Sequence, residues 1–270
     1  MCKRSVTKRL CYSTFMIEVK NISKTFGKFK AVDNLSFEVT AGEVYGLLGP
    51  NGAGKTTTLR ILATLIDASS GSASVNGLDT KTHSEQVRKS IGVVNGGMGL
   101  YERLTGLETL QYFGKLYGMS KAEVKARVSV LDDLLDLGDT LTRRSGGFST
   151  GMAQKIVIAR AVLHDPPIIF FDEATSGLDV MARRAVLDFV RSYRSAGRAV
   201  IYSTHIMNEI EELCDRVGII YKGHKIAEDS VAKLIAQSDA KNLEQAFFAI
   251  VEASNVEASN IGTSNLGAAA

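Results

Sequence analysis

"GPNGAGKT" runs from Gly49 to Thr56. It fits the spacing G-x-x-x-x-G-K-[ST]. In a chain of 270 residues a chance match is on the order of one in a hundred. Glycines let the backbone wrap a phosphate, with successive N–H groups pointing inward. "EVYGLL" stands before the loop as a strand pattern and "TTTLRILATLI" follows as a helical one. The helix then brings its positive end to the loop. Gly49, Pro50, Asn51, Gly52, Ala53 and Gly54 form the expected cradle, with Thr57 at the start of the helix. In such a loop the lysine, here Lys55, neutralises phosphate oxygens, and the hydroxyl of Thr56 ligates Mg²⁺.

Further along, "PPIIFFDE" is a short apolar run closed by two acids, which suits a central parallel strand. It would deliver Asp172 to the bound phosphates as a second Mg²⁺ ligand. Glu173 would then polarise an attacking water, a role that contributes on the order of 10²–10⁴ in rate. Alone, two such acids also fit a cap on the next helix. "FSTGMAQK", Phe148 to Lys155, puts Ser149 and Gly151 at the front of a helix. That pattern fits either a second anion site or an ordinary N-cap at Ser149 or Thr150. "AVIYSTH" reads as a strand ending in His205, and Phe26 is a lone aromatic in "KTFG".

Strands alternate with helices along the chain, which predicts an α/β fold with a largely parallel sheet. Residues 107–137 are helical in pattern, and "MARRAVLDFVRSYRSAG" is a helix closed by Gly197. "RVGIIYKGHKIAE" reads as a strand. From Met16 the text becomes "MIEVKNIS", an alternating strand. Residues 1–15 form a basic extension with little periodicity, either upstream of a natural start at Met16 or a basic arm. The end of the chain repeats "VEASN" and predicts a disordered tail from about Glu252, with residues 251–270 low in complexity.

Net charge is +3, too mild to point to nucleic acid. Three cysteines at unrelated spacings speak for a reducing compartment and against a disulfide framework. No run approaches the roughly 18–20 apolar residues of a membrane span. Action at a membrane would therefore require another subunit.

The ordered set "GPNGAGKT", "FSTGM", "FFDEATSGLD" and "STH" resembles the ATP-binding subunits of ABC transporters, from about Met16 to Phe248. The resemblance implies a P-loop NTPase core with an N-terminal antiparallel β subdomain. A helical subdomain is inserted at about residues 97–160, within an ATP-binding domain of residues 16–250. It also implies that Ser149 and Gly151 contact the γ-phosphate, that His205 bonds it, that Asp179 is the D-loop acid, and that Phe26 stacks on adenine. "FSTGM" departs from the usual L-S-G-G-Q at Phe148, Thr150 and Met152, and Ala174 stands where proline is usual. Implied partners are a second copy, paired head to tail so that Lys55 of one chain and Ser149 of the other sandwich ATP, and an integral-membrane permease. The implied place is the cytoplasmic face of the membrane.

"IGVVNGGMGLYERLT", Ile91 to Thr105, carries a departure. Asn95-Gly96 fits a hairpin turn, because both residues tolerate positive φ. The family instead usually has at position 96 a Gln that reaches Mg²⁺ and the attacking water. Asn95, one residue early on an extended strand, is expected to point to the opposite side. Asn95, a main-chain group or a water is left to replace the Gln. The stretch also resembles the ATPases of bacterial and archaeal sodium exporters. Drug, lipid and polysaccharide exporters carry similar ATPases. A non-transport ABC ATPase and a small-molecule kinase are rivals, the former disfavoured by the single nucleotide site and the latter by "FSTGM" and "STH".

Overall fold

The computed structural model describes residues 15–264, with side chains to residue 256. The basic extension expected over residues 1–15 lies outside this range except for Phe15, which opens the first strand. The chain runs β1 (Phe15–Phe26), β2 (Phe29–Thr40), β3 (Val44–Leu48), α1 (Lys55–Leu62), β4 (Ser70–Val75), β5 (Leu78–Asp79), α2 (Ser84–Ser90) and β6 (Ile91–Asn95). Then follow α3 (Gly106–Leu116), α4 (Lys121–Leu135), α5 (Thr150–Val162), β7 (Ile168–Asp172), α6 (Val180–Ser195) and β8 (Ala199–Thr204). It ends in α7 (Met207–Leu213), β9 (Arg216–Tyr221), β10 (His224–Asp229), α8 (Val231–Gln237) and α9 (Leu243–Ser264).

Two sheets result. One is antiparallel in the order β2-β1-β4-β5, and the other runs β10-β9-β3-β8-β7-β6. In the second, β9, β3, β8, β7 and β6 are mutually parallel and only β10 is antiparallel. The apolar run "IIFF" sits at Ile168–Phe171, wholly buried. A strand covered on both faces has no polar side to alternate with. Tyr45, Leu47, Ile168 and Phe170 pack on one face with α1 and the antiparallel sheet. Leu48, Ile169, Phe171 and Tyr202 pack on the other face with α3 to α7.

Three local readings change. The strand read over "RVGIIYKGHKIAE" is a hairpin, β9–β10, turning where Lys222 and Gly223 both take positive φ (49° and 86°). The Asn95-Gly96 turn is not a hairpin tip, because β6 pairs in parallel with β7 and "MGLY" forms no strand. The expected tail from Glu252 is helical as far as Ser264, the end of the described residues, because α9 continues to that point. Leu243, Ala246 and Phe247 anchor that helix in the core, and helix formation propagates from an anchored start at low cost. By contrast, Gly197 closes α6 as expected, at φ 75° with its N–H on the Arg194 carbonyl.

Candidate active site

The loop between β3 and α1 leaves the first turn of α1 without any side-chain cap. Its N–H groups therefore remain available to an anion. Gly54 takes φ 111°, and a Cβ there would lie 2.6 Å from the Ala31 carbonyl oxygen, so only glycine fits. Lys55 is buried in the loop's mouth. Its Nζ donates to the carbonyls of Gly49 (2.7 Å) and Pro50 (3.1 Å) and lies 3.5 Å from Glu173 Oε1. Burial lowers its pKa, and the negative charge of Glu173 opposes that fall.

Across the sheet β7 ends at Asp172, beside α1. Asp172 Oδ1 accepts from Thr56 Oγ1 and from Ser203 Oγ, each at 3.1 Å. Burial raises the Asp172 pKa, and those two hydroxyls only partly compensate. Among the described residues no cluster of three or more His, Cys, Asp or Glu could hold a metal ion. The pair Thr56–Asp172 is nevertheless a hard-oxygen donor set of the kind Mg²⁺ completes with water and substrate phosphates. The residues present fit that ion.

Glu173 adopts φ 51°, a left-handed conformation uncommon for a residue of its type. Its N–H donates to the Ser203 carbonyl at 2.9 Å. The same Oε1 that faces Lys55 lies 3.5 Å from His205 Nδ1. Lysine, glutamate and histidine from three separated segments thus converge on one point. Thr56, Asn95, Gly96, Asp172 and Glu173 line a shared cleft of about 450 Å³ with Arg60 and Ser176.

Two of these residues correct or extend the sequence reading. Asn95 is the register partner of Asp172 in a parallel ladder, and such partners project to the same face. The expectation that Asn95 points away is therefore wrong. It took the extended strand to run on to position 96, whereas β6 ends at Asn95. Ser203, absent from the sequence-derived set, is the partner of Asp172 on the other side. Only the pairing of β7 with β8 reveals it.

The other expected residues stand elsewhere. Ser149 caps α5, accepting from the Met152 N–H at 3.3 Å, so the N-cap reading holds locally. Asp179 caps α6 through the Ala182 N–H at 2.8 Å. Ser149, Gly151 and Asp179 line a second cleft, of about 380 Å³, whose lining includes none of Lys55, Thr56, Asp172 or Glu173. Gln154 Nε2 ties α5 to the Ala174 carbonyl, one residue after Glu173, at 2.9 Å. Phe26 is half exposed at the tip of the β1–β2 hairpin, with Lys24 Nζ 5.2 Å above its ring.

A glycine-rich loop feeding a helix from the centre of a parallel sheet, with a buried acid at the end of β7, one strand beyond β8, defines a P-loop nucleoside triphosphatase. The family is then specific. Residues 32–176 match the ABC transporter family, and the chain belongs to it as an ATP-binding, ATP-hydrolysing subunit. The chain is 43% identical over 221 residues to the ABC transporter ATP-binding protein NatA of Bacillus subtilis (strain 168), covering 82% of this chain and 90% of that protein. It is 35% identical over 246 residues to the linearmycin resistance ATP-binding protein LnrL of the same organism, covering 88% and 79%. Among solved structures, an ATP-binding subunit of an ABC transporter superposes with a TM-score of 0.80 at 30% identity, over 87% of this chain and 99% of that one. A dimeric cassette in a post-hydrolysis state, bound to ADP and Pi, superposes with a TM-score of 0.71 at 25% identity, over 80% and 98%.

Proposed function

We propose that this subunit powers export through a separate membrane-spanning permease, working as a head-to-tail pair, with sodium as the cargo. One observation supports the pairing above all. The cleft lined by Thr56, Asp172 and Glu173, with Lys55 3.5 Å from Glu173, and the cleft lined by Ser149, Gly151 and Asp179 share no residue in one chain. Each chain thus offers two half-sites, and a second copy turned about would complete both. The dimeric form of a similar cassette agrees with this. Among the described residues no helix is long and apolar enough to cross a membrane.

In this reading residues 16–250 are the ATP-binding unit, with residues 97–160 as its helical part. The backbone of Gly49 to Gly54 and the first turn at Thr57 cradle the phosphates. Lys55 neutralises the transferred group, and Phe26 stacks on the base. Thr56 and Asp172 hold Mg²⁺, whose chemistry is to offset charge building on the phosphate oxygens. Glu173, aimed by its left-handed backbone, polarises the attacking water. His205 holds the γ-phosphate beside it, and the partner copy's Ser149, Gly151 and Asp179 close the site.

The sodium reading rests on the stretch from Gly96 to Met119 together with "FSTGMAQK", which resemble sodium-exporter ATPases. Similarity to a linearmycin resistance protein favours a second cargo, linearmycin. Vesicles carrying this subunit and its permease are expected to release ²²Na⁺ on addition of ATP, and Glu173→Gln is expected to stop the release. Release of linearmycin without sodium movement would overturn the sodium assignment and leave the ATPase reading standing.

A further inference from the structure

We propose that Asn95 positions the metal-bound water in this active site, in the place where related chains rely on a glutamine one residue later. The inference rests on the ATPase reading above. Three observations carry it.

The first is the row of side chains across the sheet. Asn95, Asp172 and Ser203 are consecutive register partners on β6, β7 and β8. Neighbouring strands lie about 4.8 Å apart, and partners in a parallel ladder share a face. Ser203 Oγ demonstrates the reach on that face, since it bonds Asp172 Oδ1 at 3.1 Å. Asn95 flanks Asp172 from the other side, and among the described residues no hydrogen bond occupies Asp172 Oδ2.

The second is that position 96 has no room for a side chain. A Cβ on Gly96 would sit 2.4 Å from the Glu173 carbonyl oxygen, far inside contact distance. The Gly96 N–H is itself committed to the Asp172 carbonyl at 2.9 Å. Glycine is therefore what lets β6 close against the backbone of the catalytic glutamate. The strand approach that excludes a glutamine leaves the nearest amide at Asn95.

The third is chemistry. Asn95 lines the cleft with Thr56, Asp172 and Glu173, and among the described residues its carboxamide makes no bond within the protein. An amide both donates and accepts. It can accept from a metal-bound water while its NH₂ donates to a phosphate oxygen or to Glu173.

The test uses the full chain with three readouts: steady-state hydrolysis, Mn²⁺ binding to the ATP-loaded protein by electron paramagnetic resonance, and thermal melting. Asn95→Ala is expected to lower kcat about 10–100-fold and to weaken Mn²⁺ binding by a similar order. The KM for ATP, nucleotide binding in EDTA and the melting temperature are expected to stay at wild-type values. Asn95→Gln, which keeps the amide, is expected to recover part of both losses. Wild-type kcat and wild-type Mn²⁺ affinity in Asn95→Ala would overturn the proposal. So would a loss of activity matched by a loss of melting temperature and not relieved by Asn95→Gln. Wild-type protein that hydrolyses no ATP would count against the ATPase reading, and the Mn²⁺ readout would still decide the role of Asn95.

Discussion

Asp172 shows how the metal-holding role proposed for it opposes stability at a single residue. The residue is 6% exposed, and burial raises its carboxyl pKa above the ordinary value. A raised acid contributes stability that is complete below its unfolded pKa. That contribution is lost as pH rises through the folded value. At neutral pH the ionised group is thus a cost to the nucleotide-free fold, partly offset by the hydroxyls of Thr56 and Ser203. Asp172→Asn keeps an oxygen for both hydroxyls and removes the charge. The melting temperature of the nucleotide-free protein at pH 7 is expected to rise by about 2–4 °C, the shift worth about 1 kcal/mol in a chain of this size. The gain is expected to vanish near pH 3, where wild type is also neutral at this site. Added Mg²⁺ and ATP are expected to stabilise wild type and to stabilise the variant far less. Calorimetry across pH, with and without nucleotide, checks both halves, and a lowered melting temperature at pH 7 would contradict the cost assigned to burial.

Among the elements, α9 departs most from its sequence pattern. Its repeats of small polar residues read as a tail, yet its first turns carry Leu243, Ala246 and Phe247 into the core, all nearly or wholly buried. The Leu243 N–H also donates to Glu211 Oε1 at 2.6 Å, fixing the helix start against α7. Neighbouring side chains on this helix should therefore differ sharply in weight. Phe247→Ala is expected to destabilise by about 3–5 kcal/mol, as large-to-small core changes do. Phe248→Ala, at a residue 55% exposed, is expected to stay within about 0.5 kcal/mol of wild type. Urea unfolding of the two variants separates them, and equal losses would mean that α9 does not dock as described. Elsewhere local rules decide the element: α3 and α4 each begin with a full capping box, Thr105 with Glu108 and Ser120 with Glu123.

At the scale of the whole molecule, the two clefts are a statement about assembly. Lys55 and Ser149 stand at different sites of one chain, so turnover is expected to require two chains. The ATPase rate per chain is expected to fall on dilution. Adding a Ser149→Arg chain is expected to lower the rate per wild-type chain as mixed pairs replace wild-type pairs. Losing the cap at Ser149 costs that variant about 0.5–2 kcal/mol, which a melting curve measures separately. A rate per chain that is independent of dilution and untouched by the variant would show each chain to be self-sufficient.

The sequence by itself determined the fold class and most of the chemical groups. Glycine spacing at Gly49–Thr56, the apolar run before Asp172 and the Ser-Thr-His at the end of β8 are local signals, because each follows from the backbone freedom or burial of a few adjacent residues. The C′ glycine at 197 and the cap at Ser149 were legible for the same reason. What a side chain faces across a sheet is not local. Only the pairing of β6, β7 and β8 put Asn95, Asp172 and Ser203 in one row and barred any side chain from Gly96. Only packing turned the low-complexity stretch as far as Ser264 into a helix, through three buried residues near the start of α9. Strand register and core docking depend on residues far apart in the chain, so the tertiary structure alone decided which groups share the cleft.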